Sequence, residues 1–77
     1  MDEEIQALNQ IIAMVDQKAT KYQNEVRDMP KARAAAEKKL ILDLVDDGLR
    51  LANNIQPKPF SVIDDLTRLE KQLTRMP

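Results

Sequence analysis

Six carboxylates come closest to a catalytic or metal-binding pattern in this sequence. They are Asp43, Asp46 and Asp47 in one segment, and Asp64, Asp65 and Glu70 in another. Helices that face such acids across a cavity can hold Mg²⁺. However, Asp46 precedes Arg50 by four residues and Asp64 precedes Arg68 by four, which is the spacing of surface ion pairs on a helix. We therefore expect solvated ion pairs at these positions and no metal site.

Other catalytic groups are missing or lack a partner. The 77-residue chain contains neither cysteine nor histidine, which excludes thiol nucleophiles, Cys/His zinc sites and triads that use an imidazole. Tyr22 lies in a predicted packing seam, Ser61 is placed to cap a helix, and the three threonines have no neighbouring base. The sequence therefore predicts a protein that is not an enzyme and that uses no cofactor.

Overall charge is close to balanced, with 12 Lys and Arg against 13 Asp and Glu and a net charge of −1. This balance gives no general attraction to nucleic acid or to anionic membranes. No apolar stretch is long enough to span a membrane, and the acidic start Met1 to Glu4 is unlike the basic start of a signal peptide. We expect a small soluble protein, cytoplasmic, with no membrane insertion; the lack of cysteine fits a reducing compartment.

The first segment has apolar residues at alternating spacings of four and three. They are Met1, Ile5, Leu8, Ile12, Val15, Ala19, Tyr22, Val26 and Met29. This spacing is typical of a helix with one packing seam, and it predicts a first helix over about residues 2–27. Pro30 lacks an N–H group and disfavours the α conformation of Met29, so the helix should end before it.

A second helix is predicted over about residues 31–54, opened by Pro30 with Asp28 or Met29 as its cap. A short turn makes consecutive helices antiparallel neighbours, and folding about residues 28–29 pairs positions whose numbers sum to about 57. Gly48 and Ala52 would then lie opposite Ile5 and Leu8, where small residues allow close approach. The alternative is one kinked helix that runs through Pro30.

Two prolines in a segment of 55–60 predict a stiff connector, and Ser61 is placed to cap a third helix over about residues 62–76. The predicted fold is thus a single all-α domain over residues 1–77: an antiparallel helical hairpin plus a shorter third helix, or three-helix bundle. Helices of about 25 residues reach about 37 Å and one of 15 reaches about 22 Å. The third helix should therefore extend along the second only as far as Leu40.

The part of the hairpin left uncovered, residues 18–39, is named the turn end here. It carries exposed apolar residues, including Ala32, Ala34, Ala35 and Ala36. Isolated helix pairs are unstable, so we expect a second copy or another protein to pack there, with a homodimer as the favoured case. The predicted interaction surface consists of Tyr22, Val26, Met29, Lys31 and Arg33.

The turn end is also basic, with seven Lys and Arg against three acids, whereas residues 1–16 carry four acids and no base. One interpretation is an electropositive site for nucleic acid or an acidic partner. The other is a solvated face, or charge complementarity between copies. Neither stacking aromatics nor a glycine-rich phosphate loop accompanies the bases, so a protein partner is favoured over nucleic acid.

In outline, residues 30–76 resemble the small helical immunity proteins that protect bacteria from pediocin-like bacteriocins. The likeness rests on antiparallel helices, the lack of cysteine, and a proline-containing break before a final helix with Val62, Ile63 and Leu66. This resemblance implies a helical-bundle immunity protein as an alternative function, and no functional residue is carried over from it. The main prediction is a non-catalytic protein-protein interaction module.

Overall fold

The computed structural model describes the backbone of residues 2–76 and the side chains of residues 3–76. Within this range the protein is all-helical. It consists of α1 (Asp2–Glu25), a 3₁₀ turn (Val26–Asp28), α2 (Lys31–Asn54) and α3 (Phe60–Arg75). The described part of the chain measures about 41 × 20 × 16 Å, and its smallest dimension corresponds to the thickness of two packed helices.

Pro30 separates the first two helices. Met29, the residue before it, has an extended backbone with φ −87° and ψ 140°, as the proline ring requires of its neighbour. The Met29 N–H donates to the Val26 carbonyl at 3.2 Å, which closes the 3₁₀ turn. The kinked-helix alternative is therefore wrong. Pro30 itself occupies the cap position of α2, and no side chain caps that helix, so the predicted cap at Asp28 or Met29 is also wrong.

Helix α2 packs against both other helices. Ile11 of α1 and Leu66 of α3 both lie against Gly48, with side-chain carbons 3.2 Å and 3.1 Å from where a Cβ on that glycine would stand. Leu8 and Ala52 belong to one buried cluster, so the beginning of α1 lies beside the end of α2. The expected position of Gly48 opposite Ile5 and Leu8 is corrected accordingly: its neighbour on α1 is Ile11.

Helix α3 begins at Phe60, two residues before the predicted start. Pro59 takes the cap position and forms no side-chain hydrogen bond, so the prediction that Ser61 caps α3 is wrong. The helix continues to Arg75, and the carbonyl of Met76 just beyond it accepts a hydrogen bond from Lys38 Nζ. Helix α3 therefore ends beside Lys38, close to the level of Leu40 that helix lengths suggested.

Two clusters of buried side chains form the core. The larger lies where the three helices meet, and it contains Val15, Ala19, Tyr22, Ile41, Val45, Leu66 and Leu73. The smaller lies near the connector between α2 and α3, and it contains Leu8, Ala52 and Ile55. No polar or charged side chain is buried among residues 3–76, so packing of apolar groups holds the helices together.

Candidate functional site

Tyr22 is the predicted surface residue whose position differs most from expectation. Its side chain is only 2% exposed and belongs to the larger core cluster with Val15 and Leu73. The seam spacing on α1 had placed Tyr22 on the packing side, and the structure keeps it there. Tyr22 therefore lies beneath the predicted interaction surface and is not an exposed residue, unlike the expectation.

A groove of about 620 Å³ lies above Tyr22 at the turn end. Its lining comes from the end of α1, the 3₁₀ turn, the first half of α2 and the residue after α3. The lining residues are Tyr22, Val26, Arg27, Met29, Lys31, Ala34, Ala35, Lys38, Lys39, Leu42 and Met76. The described structure thus leaves an apolar depression in the region that the helix lengths predicted to be uncovered.

The groove exists because α3 stops before the turn end and because the α2 side chains there are small. The side chains of Ala34 and Ala35 are single methyl groups, so little side-chain volume fills the space between Lys31 and Lys38. Val26 and Met29 are half-buried and pack against the core, which fixes the opposite wall. The walls therefore consist of side chains already held by the fold.

Cations surround this apolar surface. Arg27, Lys31, Lys38 and Lys39 line the groove, and no acidic residue is among the described lining residues. Lys38 donates to the Met76 carbonyl, and Lys39 pairs with Asp43 at 3.0 Å on the solvent side of α2. Arg27 and Lys31 form no ion pair with a residue that the structure describes. The result is an apolar groove inside a positive field.

Four of the five predicted site residues line the groove: Tyr22, Val26, Met29 and Lys31. Arg33 does not; it lines a smaller cavity of about 110 Å³ with Lys18, Lys21 and Glu37, and Tyr22 and Met29 line that cavity as well. Leu42 and Met76 were not assigned to the site from the sequence. Met76 continues the four-and-three spacing of Leu66, Leu69 and Leu73, which predicts that it lies on the packing face of α3 but not that it borders the groove.

The structure contains one of the two ion pairs expected among the acidic residues. Asp46 and Arg50 form the expected ion pair, 2.7 Å apart and exposed, whereas Asp64 and Arg68 form none within the described structure. Among residues 3–76, acidic side chains nowhere gather in a group of three able to hold a metal ion. The chemistry that the groove offers is therefore apolar contact combined with positive charge.

No helix within residues 2–76 combines the length and apolar character needed to cross a membrane.

Comparison with known proteins gives no match: no family model matches the chain, and no curated protein or solved structure is significantly similar to it. The likeness to immunity proteins therefore stays an interpretation of the sequence pattern. The groove and its charges are therefore the features from which a function is inferred.

Proposed function

We propose that this protein is a small, non-catalytic helical interaction module, built on an antiparallel hairpin with a shorter third helix, that binds a partner protein through the turn-end groove. The observation that carries the proposal is the groove of about 620 Å³ with an apolar floor and a rim of cations. Contiguous exposed apolar surface with a polar rim is typical of protein-protein interaction sites.

A second copy of this chain is the other occupant that the uncovered turn end supports. In that case the protein is a homodimer in which each copy covers the apolar surface of its partner. Nucleic acid is the remaining alternative, supported by the seven bases of the turn end. It would bind through phosphates, so its affinity would fall steeply with salt.

Ala35 offers a cleaner test of the groove than Val26. Val26 packs against the core, so an Asp at that position would disturb folding and binding together. Ala35 and Ala36 are both exposed and adjacent in α2, but only Ala35 lines the groove. Ala35→Trp should fill the groove without adding charge, and Ala36→Trp supplies a control with the same side chain in the same helix.

The experiment combines crosslinking in cells with binding by purified proteins. A photo-reactive residue at position 35 should capture a partner protein that the same residue at position 36 does not capture. Purified partner should then bind the wild type and Ala36→Trp equally, and bind Ala35→Trp at least tenfold more weakly. Capture of a second copy at position 35 would instead establish the homodimer. Equal behaviour of positions 35 and 36 would overturn the proposal.

A further inference from the structure

We infer that the occupant of the turn-end groove is an amphipathic α-helix of a partner protein whose apolar face is bordered by acidic side chains. This inference rests on the proposed function and deepens it, because it states the chemistry of the partner. Three properties of the groove support it: its path along α2, the size of its wall residues and its charge.

The path of the groove continues the path of α3. Helix α3 already packs against α2 and ends beside Lys38, where Met76 forms one end of the groove. From there the lining follows α2 back to Lys31, a span of about 10 Å or two helical turns, and Leu42 adds to the lining on the part of α2 that α3 reaches. A helix laid in the groove would therefore extend the packing of α3 along the part of α2 that α3 does not reach.

Small wall residues permit this approach. Ala34 and Ala35 lie four and three residues before Lys38 on the groove side of α2. Helix backbones come closest where such small side chains meet, and larger anchor side chains on the incoming helix fill the space beside them. Two turns accommodate anchors at positions i, i+3 or i+4, and i+7, which is the spacing used by helices that bind in grooves.

Charge selects the type of helix. Of the four lining cations only Lys39 forms an ion pair among the described residues, with Asp43, and Arg27 and Lys31 belong to the part of the lining nearest the turn. If the partner helix carries acidic side chains on both sides of its apolar face, these side chains would lie near the groove cations. A helix with basic borders would be repelled by the same groups, so the groove discriminates between them.

The same charges make a second copy a poor occupant. A two-fold dimer would place the groove of one copy against the groove of the other, and six lining cations that form no ion pair with a described residue would then share one interface. Single-stranded nucleic acid is also disfavoured, because Tyr22 is the sole aromatic residue in the lining and its ring is buried, so bases have no exposed ring on which to stack.

The test uses three synthetic 15-residue amphipathic peptides with the same leucine positions and with Glu, Gln or Lys at the border positions. Each is titrated into the full chain and followed by backbone amide NMR shifts. We expect the Glu peptide to bind tightest and the Lys peptide weakest, with shifts concentrated on residues 26–42. Ala35→Trp should abolish binding of the Glu peptide, and Ala36→Trp should leave it unchanged.

Charge variants separate the rim from general electrostatics. Arg27→Glu combined with Lys31→Glu should weaken binding of the Glu peptide about fivefold in dilute buffer and strengthen binding of the Lys peptide. The control is Lys58→Glu combined with Lys71→Glu, which makes the same change in net charge at exposed positions outside the groove. This control should change either affinity by less than twofold.

Several outcomes would overturn the inference. Equal binding of the three peptides, equal effects of the two double variants, or no peptide binding at millimolar concentration would each do so. Tighter binding of oleate or of a single-stranded oligothymidine at the groove would do so as well. The proposed function fails separately, because it depends on the contrast between positions 35 and 36 with the cellular partner, whatever the charge of that partner.

Discussion

At the scale of single residues, Gly48 is packed tightly between side chains of α1 and α3. A Cβ there would lie 3.1 Å from Leu66 Cδ1 and 3.2 Å from Ile11 Cγ2, which is tighter than ordinary van der Waals contact. The leucine methyl ends a flexible side chain, but the isoleucine Cγ2 is attached to a branched Cβ and moves less freely. Glycine is therefore retained at a position where the helix itself would favour alanine.

We expect Gly48→Leu to destabilise the fold by about 1–3 kcal/mol through overpacking. Gly48→Ala should change stability by less than about 1 kcal/mol, because the gain in helix propensity of about 1 kcal/mol opposes the milder crowding. Denaturant unfolding measures both changes. The neighbouring residue Asp47 is exposed, so Asp47→Leu is the control and should stay within about 0.5 kcal/mol of wild type. Wild-type stability of Gly48→Leu would disprove the close approach.

At the scale of elements, α3 depends on one face for its attachment. Leu73 is fully buried in the larger core cluster, whereas Phe60, the first residue of the same helix, is 69% exposed. We expect Leu73→Ala to lower the free energy of unfolding by about 2–5 kcal/mol, since it removes buried methyl groups and leaves a cavity. Phe60→Ala removes a larger side chain and should cost less than about 0.5 kcal/mol. Similar losses for the two variants would contradict this packing.

The helices themselves could be predicted from the sequence because each depends on local information. The spacing of Leu66, Leu69 and Leu73 specifies which side of α3 packs, and Pro30 excludes a continuous helix through the turn. The start of α3 could not be predicted in the same way. Ser61 has the residue type of a cap, but Pro59 already turns the chain and its carbonyl accepts the Ile63 N–H at 3.1 Å, so the helix begins earlier.

At the scale of the whole molecule, part of the candidate site could be predicted and part could not. Helix lengths alone indicated that α3 would leave the turn end uncovered, which is where the groove lies. Which side chains line the groove depends on which face α1 and α2 each turn toward the other helix, and the sequence spacing does not specify that orientation closely enough. For that reason Arg33 was assigned to the site and Met76 was missed, and Tyr22 was expected at the surface that it supports from below.

Salt distinguishes the two occupants that the whole molecule could accept, because it acts on them in opposite directions. Raising ionic strength from about 0.1 M to 1 M shortens the Debye length from about 10 Å to about 3 Å. Attraction between an acidic helix and the groove cations should then weaken, and affinity for the Glu peptide should fall severalfold. Repulsion between two basic grooves would weaken as well, so a groove-to-groove dimer would become more stable.

Sedimentation equilibrium at low and high sodium chloride measures the second effect directly. We expect a monomer at tens of micromolar in dilute buffer, because the four lining cations of each copy oppose a symmetric contact. If the dimer forms through the grooves, its population should rise with salt and should disappear in Ala35→Trp. A dimer that is strongest in dilute buffer would require contact between opposite charges, such as the acidic start of α1 on one copy and the basic turn end of the next. Two antiparallel copies would make this contact twice, so such a dimer would be symmetric and its population would fall as salt is raised.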